Sequence, residues 1–183
     1  MTAPDPQPRP ASEPGAAAPA TAARAGDTAA ARLKERIYAT ITLAAVVVAL
    51  SDAHVGPQDA ALTVTVTALG VWLATLVADE QSHRAVSGRG ANRAEIRTAL
   101  YVSAPLLLSA VGPLVLIGVS ALGAMELDTA LLISAGVEVA ALFLWGWRTG
   151  LRMGNGPLSA LVSGLVDTVI GVGVVAVKLL AGH

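Results

Sequence analysis

After residue 36 five apolar runs follow one another along the chain: 37–50, 60–78, 99–122, 129–147 and 158–180, each closed by a short polar break. A helix needs roughly 17–25 apolar residues to cross a hydrocarbon layer about 30 Å thick. The last four runs reach that length. The first has 14 clean residues, and crosses as 37–55 only if Ser51 to Val55 lies in the interface. Thr63, Thr65 and Thr67 favour strands, yet a membrane strand shows about ten residues of alternating polarity between turns. Uninterrupted runs favour helices instead, because lipid makes each span satisfy its own backbone. The pattern predicts an all-α membrane protein, a five-transmembrane-helix bundle over residues 32–183.

Residues 1–31 read differently. They hold six of the ten prolines among Ala, Thr, Gly and scattered charges. With no apolar periodicity to offset the entropy of ordering, this stretch is expected to be a disordered cytoplasmic tail. No apolar core follows a basic start and ends at a small-residue cleavage site, so it does not read as a signal peptide. The Ala-rich stretch before Arg32 is able to prolong the first helix.

Composition sharpens the membrane reading. The chain is 54% hydrophobic and only 14% charged, against about 25% charged in an average soluble domain. In 183 residues that much aliphatic surface cannot all be buried from water, which excludes an ordinary soluble enzyme. A net charge of −1 gives no footprint for nucleic acid. The absence of cysteine excludes disulfides, cysteine–metal sites and cysteine catalysis. Ten Arg against two Lys, amid abundant Ala, Val and Gly, is the bias of a GC-rich bacterial genome, so the bilayer is expected to be a bacterial plasma membrane.

The basic residues test the five spans independently. Arg9, Arg24, Arg32, Lys34 and Arg36 precede the first; residues 51–59 and 123–128 have none; Arg84, Arg89, Arg93 and Arg97 lie between the second and third; Arg148 and Arg152 follow the fourth; only Lys178 lies at the far end. Eleven of the twelve thus fall on one side, which cationic loops mark as the cytoplasm. Tyr38, Tyr101, Trp145 and Trp147 fall near that same face, where amphipathic rings prefer to sit. The expected topology is N-terminus in, C-terminus out.

Candidate chemistry rests on acids inside the spans. Glu138 and Asp167 are each ten residues from the loop 148–157, so at ~1.5 Å per residue they reach similar depth and are expected to share one layer. An intramembrane carboxyl costs at least about 2.5–3.5 kcal/mol on insertion scales, which makes it a functional hypothesis by default. With Ser134 one turn from Glu138, and Ser159, Ser163 and Asp167 on one stripe, the acids could form an ion or proton site for a small cation. The alternative is a neutral carboxyl serving as interhelical glue. At the end of the second span Asp79, Glu80 and His83 include a Glu-x-x-His spacing able to offer two ligands to a metal. A polar helix end explains them equally well. Asp52, His54 and Asp59 read as a solvated outer loop.

Gly156, Ala160, Gly164 and Thr168 make a small-residue ladder on the last span, a helix-packing seam against the fourth span or a second copy in a homo-oligomer. Gly146, Gly150 and Gly154 repeat the spacing but are expected to end the fourth helix. Pro105 and Pro113 predict a bent third span. No phosphate-binding loop, nucleophile elbow or zinc-protease motif is present, so the chain reads as no enzyme and as needing no cofactor.

Five spans, a basic loop after the second, and the ending Arg152, Pro157-Leu158, Gly164, Gly171-Val172-Gly173 resemble the vacuolar iron transporter family, chiefly over residues 129–183. That resemblance implies exchange of divalent iron or manganese for protons. It also implies a carboxylate in span one, Met and acids in span two, and a Glu-rich cytoplasmic segment. Residues 37–50 hold no acid, residues 60–78 hold no Met, and the loop offers only Asp79, Glu80, His83 and Glu95, so no transport residue carries over. Two functions stay open: a cation or proton-coupled carrier using Glu138 and Asp167, and a non-catalytic membrane scaffold or accessory protein whose buried acids are structural.

Overall fold

The structure, a computed structural model, describes residues 17–154 and 156–181, and among them every regular element is an α-helix. Six helices follow in order: α1 (Ala17–Asp52), α2 (Pro57–Ser87), α3 (Arg93–Ser109), α4 (Val111–Ala121), α5 (Leu127–Arg152) and α6 (Gly156–Ala181). Four stretches are long and apolar enough to cross a membrane: α2, α3 with α4, α5 and α6.

Local chemistry sets most boundaries. α2 begins on Pro57 after Gly56 and stops at Gly88, whose φ of 66° ends the helix in the left-handed region. α3 opens on a capping box: Asn92 accepts from the Ala94 and Glu95 amides, and the Glu95 carboxyl accepts from the Asn92 amide. The third span breaks at Ala110. Pro113 lacks the N–H that would bond to Ser109, so the chain tightens there, with the Ala110 amide turned to the Leu107 carbonyl.

Two expectations change. Residues 17–31, expected to belong to the disordered tail, form the first turns of α1; Ala is the best helix former, and the prolines concentrate ahead of them. Residues 1–16 lie outside the described residues. The first run, 37–55, ends as a helix at Asp52 and is not among the four stretches able to span.

α1 is nevertheless the centre of the bundle, touching α2, α3, α5 and α6. Its face of Ala39, Leu43, Val47 and Leu50 is buried. α2, by contrast, buries only Ala60, Val64 and Ala68 and leaves Leu62, Leu73 and Val77 more than half exposed. Together with similar rows on α5 and α6, including Leu132, Val137, Val169 and Ile170, this is far more contiguous apolar surface than a water-soluble monomer leaves uncovered.

Candidate functional site

Beside Leu131, the buried face of α5 is a stripe four residues apart: Ala130, Ser134, Glu138, Leu142, Gly146 and Gly150. Such spacing stacks side chains on one side of a helix. Glu138 stands at its middle, only 6% exposed. Its carboxyl faces the hydroxyl of Thr40 on α1, and Thr40 Oγ1 donates its own proton to the Arg36 carbonyl at 2.9 Å.

Asp167 is elsewhere. A Cβ built at Gly146 would meet Asp167 Oδ2 at 2.5 Å, which puts this carboxyl eight residues, about 12 Å of helix, from Glu138 along α5. The expected shared layer is thus replaced by two separate depths. Side chains lean toward the N-terminus of their own helix, so acids on antiparallel α5 and α6 point away from each other. Counting residues to the loop does not register that lean. Asp167 is half-buried, with no hydrogen bond or ion pair among the described residues. Ser134 Oγ donates to Ala130 O of its own helix at 2.9 Å. Ser163 lines the α5–α6 seam, where its Cβ would lie 3.2 Å from a Cβ built at Gly150.

That seam involves residues from the expected ladder. Ala160 packs on Gly150 and Gly164 on both Gly146 and Phe143, so α5 is the ladder's partner. Gly146 and Gly150 lie within α5, which runs on to Arg152, and do not end it; close packing of backbones holds the helix together where two glycines would weaken it alone. Gly156 is exposed at φ 86°, and Thr168 donates to Gly164 O at 2.8 Å.

Asp79, Glu80 and His83 do not converge. Glu80 Oε1 takes Arg84 Nε at 2.6 Å, His83 Nε2 lies 3.4 Å from Glu95, and Asp79 faces α1. No group of three His, Asp or Glu side chains among the described residues could hold a metal ion. The basic loop is instead a clasp. Arg89 grips Glu95 through both oxygens at 2.8 and 3.0 Å, and this bidentate pair holds the Glu95 carboxyl down at about 2. Between α1 and α2 His54 Nδ1 lies 2.9 Å from Asp52 O, a local turn contact.

The basic end of the bundle is laced by aromatic contacts. The Arg32 guanidinium lies 3.8 Å over the Tyr101 ring and donates to the Tyr101 carbonyl. Arg36 sits 4.4 Å over Trp145, with Arg148 at 5.7 Å from the same ring. Beside them a cleft of about 490 Å³ opens between α1 and α2, lined by Glu35, Lys34 and Asp79 above Gly70, Val71 and Ala74. Sequence reasoning passed over Glu35. The signal was present: Glu35, Ala39, Leu43 and Val47 recur every fourth residue, which continues the buried stripe of α1 into its basic start.

No family model, curated protein or solved structure matches this chain.

Proposed function

We propose that this chain is a polytopic integral membrane protein of a bacterial plasma membrane, acting as a non-catalytic scaffold or accessory protein. The observation that carries the reading is Glu138, buried on the α5 stripe against Thr40 of α1. An acid enclosed between two helices, engaged by a hydroxyl and in no ion pair among the described residues, is suited to locking helices rather than to exchanging ions with water.

All five helical units cross in this reading. α1 falls short as an isolated span, yet it lies inside the bundle, where neighbouring helices rather than lipid surround it. The alternation of basic and neutral loops then sets the N-terminus and residues 82–97 in the cytoplasm and the C-terminus outside. The carrier reading keeps one support, the unpaired Asp167 within α6.

Proteoliposome flux separates the two. Wild type and the double variant Glu138→Gln, Asp167→Asn should show the same proton and cation leak as empty vesicles. Flux by wild type that the double variant abolishes overturns the scaffold reading in favour of the carrier. Reporter fusions test the topology: a fusion after Ser82 should report cytoplasm and one at His183 the outside. A cytoplasmic signal from His183 means α1 does not cross.

A further inference from the structure

The cleft between α1 and α2 joins a wall of small residues to a charged mouth. Along its wall Gly70, Ala74 and Ala78 recur every fourth residue on α2, facing Tyr38 of α1, and a Cβ at Gly70 would touch nothing within 4 Å. These small residues leave open space where the α5–α6 pair closes. The mouth carries the charges. The Glu35 side chain is 8% exposed although its partner Lys34, 3.2 Å away, is 76% exposed. Asp79, on the facing helix α2, lines the same cleft as Glu35 and Lys34. Two carboxylates against one ammonium leave the mouth one negative charge in excess. Holding like charges together at an apolar wall is unfavourable unless a cation joins them.

A guest that fits must therefore bring a positive group for Glu35 and Asp79, a group Lys34 can accept, and an apolar stem for Gly70, Val71 and Ala74. The volume lies within the ~300–1,000 Å³ usual for small-ligand sites. We propose that this cleft holds the headgroup of an aminophospholipid. Its primary ammonium sits between Glu35 and Asp79, its phosphate reaches Lys34, and its glycerol and upper acyl carbons lie along α2. A primary ammonium offers three N–H donors, enough to bond both carboxylates at once. A quaternary choline offers none, and an anionic headgroup meets the excess negative charge. The inference rests on the membrane reading above, which supplies the lipid and places the basic end of the bundle at headgroup level.

The test uses the full chain purified in neutral detergent, with native mass spectrometry against phosphatidylethanolamine, phosphatidylcholine and phosphatidylglycerol of identical acyl chains. Phosphatidylethanolamine should be retained about tenfold over phosphatidylcholine, the ratio one charge-assisted hydrogen bond supports. Asp79→Asn and Glu35→Gln should each erase that preference, while Asp128→Asn, in the first turn of α5, should keep it. Asp79 is exposed, so its variant decides the matter even if the buried Glu35 variant fails to fold. Equal retention of phosphatidylcholine, preference for phosphatidylglycerol, or an unchanged preference in Asp79→Asn overturns the proposal. Octylamine should displace the lipid; octylamine bound by a chain that ignores phosphatidylethanolamine assigns the cleft to a free amine and overturns it too. Membrane fractionation reads the underlying premise separately. An inserted chain without lipid preference removes only the cleft proposal, and a chain absent from membranes removes both.

Discussion

Two antiparallel helix pairs in this protein carry the same small-residue spacing and use it in opposite ways. Between α5 and α6, Gly146 and Gly150 meet Ala160 and Gly164 backbone to backbone, closely enough that a Cβ at Gly150 would lie 2.5 Å from the Ala160 Cα. Between α1 and α2, Gly70, Ala74 and Ala78 face a gap of about 490 Å³. The difference lies in what flanks the ladders. Opposite Gly146 and Gly150 stands a second small ladder, so two smooth faces meet. Opposite Gly70 and Ala74 stands Tyr38, and the two helices carry Glu35 and Asp79 where they would have to close. A small-residue ladder therefore permits close packing without dictating it.

The largest expected effect follows from that contrast. Gly150→Ala places its methyl group against the Ala160 backbone, which cannot rotate out of the way as a side-chain tip can. The α5–α6 seam must open, at a cost of about 1–3 kcal/mol for overpacking. Gly70→Ala meets nothing and should shift stability by less than about 1 kcal/mol, in the stabilising direction that helix propensity sets. Unfolding titrations in mixed micelles measure both. Equal costs at the two glycines would mean that α1 and α2 also close in the bilayer.

The next effect concerns the contact that ties α1 to α5. Glu138→Ala leaves Thr40 without its partner across the interface and opens a cavity, costing about 1–3 kcal/mol. Glu138→Gln keeps the shape and a polar end able to pair with Thr40, so it should cost no more than about 0.6 kcal/mol, the mean for interhelical hydrogen bonds in membranes. The same titrations apply, with Thr40→Val completing a double-mutant cycle. A glutamine variant as damaged as the alanine one would show that the ionisable group itself matters, which is what the carrier reading requires.

How much of this was legible depended on which interactions are local. Apolar run length placed α6 to within two residues and found α2 and α5 with their polar ends missing, because a long apolar helix satisfies its backbone within itself. Pro113 foretold the break near Ala110 for the same reason. The place of α1 was less legible. Its start was read from prolines that stop at Pro19, although Ala-rich sequence follows, and its central position follows from contacts with four other helices that no run length records. Glu138 was legible as a buried acid, yet its partner was not, since nothing in the sequence pairs residue 40 with residue 138. Asp79 was noticed for its neighbours His83 and Glu80, which turned elsewhere, and Glu35 escaped notice amid Arg32, Lys34 and Arg36.

A smaller effect is expected where α1 meets the bundle's basic end. Trp145 receives Arg36 at 4.4 Å and Arg148 at 5.7 Å on its ring, whereas the corresponding ring at the cleft, Tyr38, is 55% exposed. Trp145→Leu keeps an apolar side chain but removes the ring face, so α1 should loosen by about 0.5–1 kcal/mol per lost cation contact. Hydrogen exchange of the α1 amides near Arg36 should rise, while those of α2 facing the cleft stay as they are. Matching increases on both helices would show that α2 depends on the same anchor.

The smallest effect belongs to the loop that joins α2 to α3. Glu95 is held at about 2 first by the side-chain hydrogen bonds from Arg89 and then by the Asn92 amide. Unfolded, the same carboxyl titrates near 4.5, so between these values the unfolded state binds more protons and stability rises with pH. The clasp's contribution is complete above about 4.5 and disappears as the pH falls through about 2. Because the pair is exposed to solvent, salt should screen it, and global stability should move little. Its signature is local: an NMR titration of the Glu95 carboxyl should show a midpoint near 2, and Arg89→Gln should raise that midpoint toward the ordinary value. The Ala94 and Glu95 amides, bonded to Asn92 Oδ1 at 2.9 and 3.0 Å, should keep their slow exchange in the variant, since the asparagine cap does not need the arginine. If those amides lose protection together with the midpoint shift, the cap and the ion pair form one unit, and this loop orders the start of α3 more tightly than the open cleft orders α1 against α2.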